Sequence, residues 1–589
     1  MNSTWTARLI LLVFWALIYL PGLGDLEIKG EEWRRTIPGR NMLQNGDWLV
    51  PRSGGLPYVR KPPLINWISA VSFKTTGVVN EWTARLPSVL TILVASLGMF
   101  GFSRRWMGNK AALVGGLFFL ASVGVIEKGR IAEIEVYYIA FTGLAFTAWM
   151  AGFKGKLNLW AAWLWVGLFL GLAMLAKGPM HLLFFYLPVV GACWASSRWK
   201  QLFSLPHLAG LLLFFAITLA WALPFISSYA QLMGIQKMDV LSTWGNEVSS
   251  RVTGEEKTSA SDWLIRGPKA LVMFLPWILL VPLWWRKAAL ERAFGDLESR
   301  KTFDGLKWGV VAGFAFMILI PSSSARYVAP LLAPVLLMIA WVLVEGGAEA
   351  TQRQRTVWHW INRGFFVLAM VAIGVAAILY WPSSLIAVAA WAAGITVLTQ
   401  VLLRQVKQEG TLAVVSLTLV TALAAAMLMV HSSGSATTSC PNEDVRSTAL
   451  AIRKAMGDTS EGRLLIFHLG QMPYPFYLPE TSLELDTLEQ VPQDQPFRWM
   501  LTGTKTDEGF RPWFERRFGP AETVAEFERT WGDQASGASA WCSSALPGAI
   551  RRSKNESEEG VPHLPHRHRL AWFHPILASP SPRSLPGTM

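Results

Sequence analysis

The chain has 589 residues, of which 52% are hydrophobic and 16% charged, with 30 Trp and 31 Phe. An average soluble domain is about 25% charged, so this is an integral membrane composition with room for one soluble domain. The net charge of +13 comes from Lys and Arg scattered between apolar stretches, which argues against nucleic-acid binding and for cytoplasmic loops and sites for anionic lipid groups.

Hydropathy predicts about 13 segments long enough to cross a bilayer. They fall near 5–23, 87–103, 111–126, 136–152, 158–176, 179–195, 207–227, 268–285, 308–321, 327–345, 364–381, 383–402 and 411–430. The first ends in "LPGLGD", which lacks a small-x-small cleavage pattern, so an uncleaved first helix is expected. Basic loops recur on one side of the alternating spans: "RRWMGNK" (104–110), "KGK" (154–156), "SSRWK" (196–200), "WRKAALERAFGDLESRK" (285–301), "RQR" (353–355) and "RQVK" (404–407). The positive-inside rule makes that side cytoplasmic. The N-terminus is then inside, and the polar segment after 431 is outside.

The loop at 24–86 is also outside and is nevertheless basic. Its first part, "GEEWRRTIPGRNM" (30–42), packs Glu31, Glu32, Arg34, Arg35 and Arg40 just after an apolar span. A short interfacial helix broken by Pro38 and Gly39 is expected there. A second amphipathic helix is expected to start at Pro62–Pro63, since proline suits the first helical positions. Trp48 and Trp67 suit a membrane interface. Lys61 then stands beside a helix start at headgroup level. It reads either as a phosphate ligand or as a snorkelling, positioning lysine.

Further along, a short outer loop, "EKGRIAEIE" (127–135), is charged, and a second long outer loop covers 228–267. The span centres are nearly free of charge. Proton-coupled pumps and channels place ionisable residues at depth, whereas here they gather at the outer face. Residues 440–545 read as a separate unit, with strands at "GRLLIFHLG" and "FRWMLTGT" and helices at "STALAIRKAM" and "AETVAEFERTW". Domain boundaries are therefore placed at 1–435, 436–545 and 546–589, with the last, rich in Pro, Ser, His and Arg, expected to be a disordered tail. Cys193 lies in an apolar span and is expected to be inert. Cys440 and Cys542 are a candidate disulfide pair if their segment is outside the cytoplasm.

The block "EEWRR…NMLQNGDWLVPRSGGLPYVRKPPLINWISAVSFKTTGVVNEWTARLPSVL" (31–90) resembles the aminoarabinose transferase and protein O-mannosyltransferase superfamily, membrane enzymes of the C-type glycosyltransferase fold that use polyprenyl-phosphate sugars. That family opens the block with Asp-Glu-x-Arg-Tyr, so Glu31 stands for its Asp and Arg35 for its Tyr. Arg60 stands where the family often has Glu before "KPP". Further motifs follow in order: "GRIAEIEVYYIAF" (129–141), where Glu133 or Glu135 fills an acidic position; "GLAMLAKGP" (171–179), giving Lys177; "NEVSSRVTG" (246–254), giving Arg251; and "SARYVAPLLAP" (324–334), giving Tyr327.

The resemblance implies a multi-pass α-helical membrane protein of the bacterial inner membrane with a small C-terminal α/β domain. It implies transfer of a sugar from a polyprenyl-phosphate donor to a lipid A-type or other envelope acceptor, with inversion at the anomeric carbon. A phosphate leaving group needs positive charge more than a proton donor, and Lys61, Lys177 and Arg251 are the expected phosphate ligands. Glu31 is the expected base, or stabilises oxocarbenium-like charge when the acceptor is itself a phosphate. Arg34 orients Glu31 or adds positive charge. Glu133 and Glu135 hold acceptor or donor sugar, with only one entering the cleft because residues two apart do not share a helix face. Glu32, Tyr58 and Tyr327 are expected pocket residues. No cofactor is required; a divalent metal bridging two carboxylates and the phosphate is conceivable, but no His/Asp cage points to one. A protein acceptor is the first alternative. A polyprenyl-lipid flippase or a non-catalytic scaffold is the other, disfavoured by the carboxylates and lysines gathered at one level.

Overall fold

A computed structural model describes residues 4–28, 31–53, 56–58, 61–242, 244–245, 260–320 and 323–346, and, further on, 445–456, 463–467, 474–478, 483–485, 497–503, 515–516, 521–528 and 567–573. The predicted spans at 364–381, 383–402 and 411–430, together with Arg251, Cys440 and Cys542, lie outside the described residues. The chain divides into two compact units. The first comprises residues 1–26, 34–51 and 57–435; the second comprises 27–33, 52–56 and 436–589.

The first unit is helical. Its elements begin with α1 (Thr4–Tyr19), α2 (Trp33–Asn45), α3 (Leu64–Thr76), α4 (Glu81–Leu120), α5 (Val123–Gly129), α6 (Ile134–Phe153), α7 (Leu159–Lys177), α8 (Met180–Ala195) and α9 (Leu205–Met233). Helices Ala260–Val272, Lys287–Ala293, Leu297–Leu319 and Leu332–Gly346 follow. Among the described residues, 6 helices are long and apolar enough to cross a membrane, or 7 if a bent pair is one span. At 1.5 Å per residue, a 40-residue helix is about twice the length a bilayer core requires. Accordingly, α4 breaks at Gly108 (φ 76°, ψ 164°), inside the basic loop expected between two spans. The predicted span 268–285 is not one straight helix: Trp263–Val272 and Trp277–Trp285 meet at 97°. Pro276, which has no N–H to continue a helix, lies at the bend.

The interfacial segments differ from expectation in one respect. α2 runs unbroken through Pro38 and Gly39. The Asn66 side-chain amide donates to the Arg35 carbonyl at 2.9 Å, fastening α3 to α2. A Cβ on Gly39 would stand 2.8 Å from the Asn66 carbonyl oxygen, so the missing side chain lets the two helices touch. α3 begins directly after Pro63 and ends at Gly77, whose φ of 70° is a left-handed cap. The Trp67 indole donates to the Trp48 carbonyl at 2.6 Å.

Packing sorts the spans. α6 lies at the centre, buried along nearly its whole length, against α4, α7 and Leu332–Gly346. α9 packs on α7 and presents Leu208, Leu212, Phe215, Leu219 and Leu223 outward, as a helix facing lipid does. α8 and Leu297–Leu319 meet where Gly191 and Gly305 sit; a Cβ on either would collide with the carbonyl of the other. Small residues allow this close approach in membranes.

The second unit contains a 5-stranded sheet. Strand Arg463–Phe467 pairs in parallel with Leu483–Leu485 on one side and Phe497–Gly503 on the other. Leu464, Leu465 and Ile466 are all buried, as in a strand covered on both faces. Helix Val445–Met456 buries Val445, Ala449 and Ile452 at helical spacing. Two expectations fail here. "AETVAEFE", read as a helix, is a strand (Ala521–Glu528), and Arg567–Phe573, placed in the tail expected to be disordered, is the strand beside it. Arg567–Phe573 pairs antiparallel with both Ala521–Glu528 and Phe497–Gly503. The ladder supplies backbone partners that outweigh the local helical pattern. Glu27 completes this unit from the far end of the chain: its carboxylate accepts from the Arg446 N–H at 2.8 Å, filling an open donor at a helix N-terminus.

Candidate active site

Two helix ends bring the first unit's buried charges together. Glu133 is the residue before α6, in extended conformation, and Glu135 is in the first helical turn. Lys177 is the last residue of α7. A carboxylate at a helix N-terminus and an ammonium at a C-terminus each complement the helix dipole. Gly178 then takes φ 114°, ψ −171°, and Pro179 opens α8. The Gly-Pro corner thus fixes the direction in which Lys177 leaves its helix.

Lys177 Nζ lies 3.0 Å from Glu135 Oε1, with the two side chains 11% and 1% exposed. Arg326 Nε approaches the same oxygen at 3.5 Å and is 42% exposed. The ammonium also lies over the rings of Tyr138 at 5.2 Å and Tyr327 at 5.1 Å, within cation–π range. Lys61, two residues upstream of Pro63, is half-buried and close enough for its charge to act on Lys177. Segment Ala325–Leu331, which carries Arg326 and Tyr327, packs against both α6 and α8.

Glu133 turns the other way. Its Oε2 lies 3.4 Å from Lys128, which also pairs with Glu127 at 2.8 Å. Burial lowers the Lys128 pKa, but Glu133, Glu127 and Glu135 outweigh it and hold the ammonium above the ordinary lysine range. The two carboxylates therefore pair with different lysines, Glu133 from the extended residue before α6 and Glu135 from its first turn.

Of the remaining sequence-predicted residues, Tyr58 accepts a hydrogen bond from Arg35 Nη1 at 2.7 Å. Arg35 is buried, so its cation and this tyrosine form one fixed pair. Arg34 is half-buried in the first turn of α2. Glu31 is half-buried and Glu32 is 1% exposed; both lie in the segment 27–33 that belongs to the second unit. Glu135, Lys177, Lys61 and Tyr327 are thus brought together. Sequence reasoning passed over Arg326, Lys128 and Tyr138. Arg326 precedes Tyr327 in the quoted "SARYVAP", so its signal was adjacent; the other two gave none beyond lying in a charged loop and an apolar helix.

Glu135, Lys177 and Arg326 together leave a single net positive charge, held among aromatic rings at helix ends. Such a site can hold and orient an anionic group whose reacting partner approaches through the exposed side of Arg326. Arginine supplies fork-shaped phosphate contacts and lysine a point charge.

The chain is similar to several known proteins. Residues 60–223 match the family described as dolichyl-phosphate-mannose-protein mannosyltransferase. A curated relative from Edwardsiella ictaluri (strain 93-146), an undecaprenyl phosphate-alpha-4-amino-4-deoxy-L-arabinose arabinosyl transferase, is 26% identical over 345 residues, 57% of this chain and 58% of that protein. A relative of the same name from Pseudomonas aeruginosa (strain UCBPP-PA14) is 27% identical over 384 residues, 63% of this chain and 65% of that one. The chain thus spans less than two thirds of the length of these relatives. The crystal structure of ArnT from Cupriavidus metallidurans bound to undecaprenyl phosphate superposes with a TM-score of 0.65 at 19% identity, covering 89% of this chain and 97% of that one. The apo form of the same protein gives a TM-score of 0.61 at 18% identity, covering 88% and 95%. The fold is shared.

Proposed function

Starting from the fold and motifs that the chain shares with the aminoarabinose transferase and protein O-mannosyltransferase superfamily, we propose that it is an integral membrane glycosyltransferase. It moves a sugar from a polyprenyl-phosphate donor to a lipid A-type or other cell-envelope acceptor, at the outer face of the bacterial inner membrane. The observation that carries this reading is the cluster of buried Glu135 and Lys177 with the part-exposed Arg326, near enough to Lys61 for its charge to act on Lys177, in a fold similar to that of ArnT. About 13 spans, a cytoplasmic N-terminus and an extracytoplasmic α/β domain complete the proposed layout.

In this reading the donor phosphate lies against Lys177, Arg326 and Lys61, with Arg251 as a further ligand and Tyr327 lining the pocket. The acceptor oxygen attacks the anomeric carbon from the face opposite the phosphate, so configuration inverts. Positive charge stabilises the departing phosphate. Glu31, oriented by Arg34, takes the proton of a hydroxyl acceptor; a phosphate acceptor needs no base, and Glu31 then stabilises positive charge on the sugar ring. Glu32, Tyr58 and Glu133 support the pocket. Lys and Arg meet the charge of the leaving group, and no cofactor is assigned.

A protein acceptor is the second reading, favoured by the match of residues 60–223 to protein mannosyltransferases. The test is transfer by purified protein from polyprenyl-phosphate sugars to lipid A or to a Ser/Thr peptide. Glu31→Gln is expected to abolish transfer to a hydroxyl. Unchanged transfer at normal expression would remove Glu31 from its role, and lipid movement across the bilayer without transfer would favour a flippase.

A further inference from the structure

The donor and the product of this reaction differ in charge at the atom the site must hold. A polyprenyl-phosphate sugar is a phosphodiester with one negative charge. In the transfer, the bond between the anomeric carbon and the phosphate oxygen breaks, and its electron pair stays on that oxygen. A bond from the acceptor oxygen to the anomeric carbon forms, and a hydroxyl acceptor gives up its proton. The lipid left behind is a phosphomonoester. Its second pKa is about 6, so at neutral pH and above it is mostly a dianion. A site built only of cations would hold this product more tightly than the donor and would stall.

Glu135 is placed to prevent that. Its side chain is 1% exposed, and one oxygen, Oε1, meets both Lys177 at 3.0 Å and Arg326 at 3.5 Å. A carboxylate buried between two cations does not serve to hold the helices more firmly than an apolar residue would, because desolvation offsets much of the attraction. What it does change is the charge offered to a ligand. With Glu135 ionised, Lys177 and Arg326 together contribute one net positive charge rather than two to whatever Lys61 and Arg251 add. The rings of Tyr138 and Tyr327 lie over Lys177, whose side chain is only 11% exposed.

Resting on the glycosyl-transfer reading above, we propose that Glu135 is a specificity-determining residue that lowers the positive charge of the donor-phosphate site by one and so favours release of the doubly charged phosphomonoester product. It touches neither the sugar nor the phosphate in this role; it acts through Lys177 and Arg326.

The experiment compares two lipids of equal chain length, polyprenyl monophosphate and its methyl phosphodiester, binding to purified full-length protein at about pH 8, where the monoester is a dianion. Wild type is expected to bind both. Glu135→Gln is expected to raise affinity for the monoester by about tenfold relative to the diester, since the additional ligand charge meets an additional unopposed cation. The same variant should show stronger inhibition of transfer by polyprenyl phosphate, its inhibition constant falling by more than the donor KM falls. Glu135→Asp should keep the wild-type ratio. If Glu135→Gln does not fold, Arg326→Gln carries the test, and its monoester-to-diester ratio should fall. An unchanged ratio in Glu135→Gln and Arg326→Gln overturns the assignment while leaving glycosyl transfer standing. Wild-type protein that binds neither lipid overturns the functional reading itself.

Discussion

Replacing Lys177 with Met tests whether the buried pair is set as the structure has it. At 3.0 Å and an effective dielectric of about 20, the gross attraction between Lys177 and Glu135 is about 5–6 kcal/mol. Desolvation of both groups offsets much of it, but removing one partner strands the other: breaking a buried pair costs about 3–5 kcal/mol. Arg326 stays beside Glu135, so the lower end applies, and Lys177→Met is expected to cost about 3 kcal/mol. Loss of the two ring contacts is included in that figure. Glu135→Gln alone leaves Lys177 buried against Tyr138 and Tyr327 and carries a similar cost. Together the two changes should cost about 2 kcal/mol less than the sum of the singles, because each then removes the other's stranded charge. The assay is a double-mutant cycle on reversible unfolding in detergent micelles. Additivity within about 0.5 kcal/mol would refute the pairing.

Three other outcomes follow from the geometry. Gly178→Ala should destabilise by about 1–3 kcal/mol, because φ is 114° while the space around a Cβ is open; a thermal shift no larger than that of a surface Gly→Ala control contradicts this. Glu27→Ala should loosen helix Val445–Met456 by about 0.5–2 kcal/mol by removing its N-terminal acceptor, seen as faster proteolysis within that helix, and equal rates contradict it. Lys128 has a raised pKa, so its stabilising contribution is fully present below the unfolded lysine value and is lost only as pH rises through the higher folded value. Lys128→Met should therefore destabilise equally at about pH 6 and about pH 9, and a cost that fades between those values would show that the three carboxylates do not hold it.

The sequence carried the membrane character and the helix start after Pro62–Pro63, because these depend on local composition and on residues with restricted backbones; the Lys-Gly-Pro corner came from the family resemblance. The divergence of Glu133 and Glu135 has a different cause from the helical spacing assumed, because Glu133 precedes α6 in extended conformation. The pairing of Glu135 with Lys177 was not legible: the partners are 42 residues apart, and only the packing of α6 on α7 brings them together. The fastening of α2 to α3 was hidden for the same reason, since Asn66, which donates to the Arg35 carbonyl, belongs to another helix. In the second unit, Ala521–Glu528 has a helix-like pattern, but its pairing with Arg567–Phe573, about 40 residues on, decides its conformation. Arg35, an apparent departure from the family's tyrosine, has a local rationale in its bond to Tyr58.

The most direct test of the central claim is a donor screen with the purified protein, following release of polyprenyl phosphate and the anomeric configuration of the new glycosidic bond while sugar and acceptor are varied. The account predicts acceptor-dependent release from at least one polyprenyl-phosphate sugar, with inverted configuration in the product. Release with retained configuration, or no release from any donor by protein that binds polyprenyl phosphate, would contradict it.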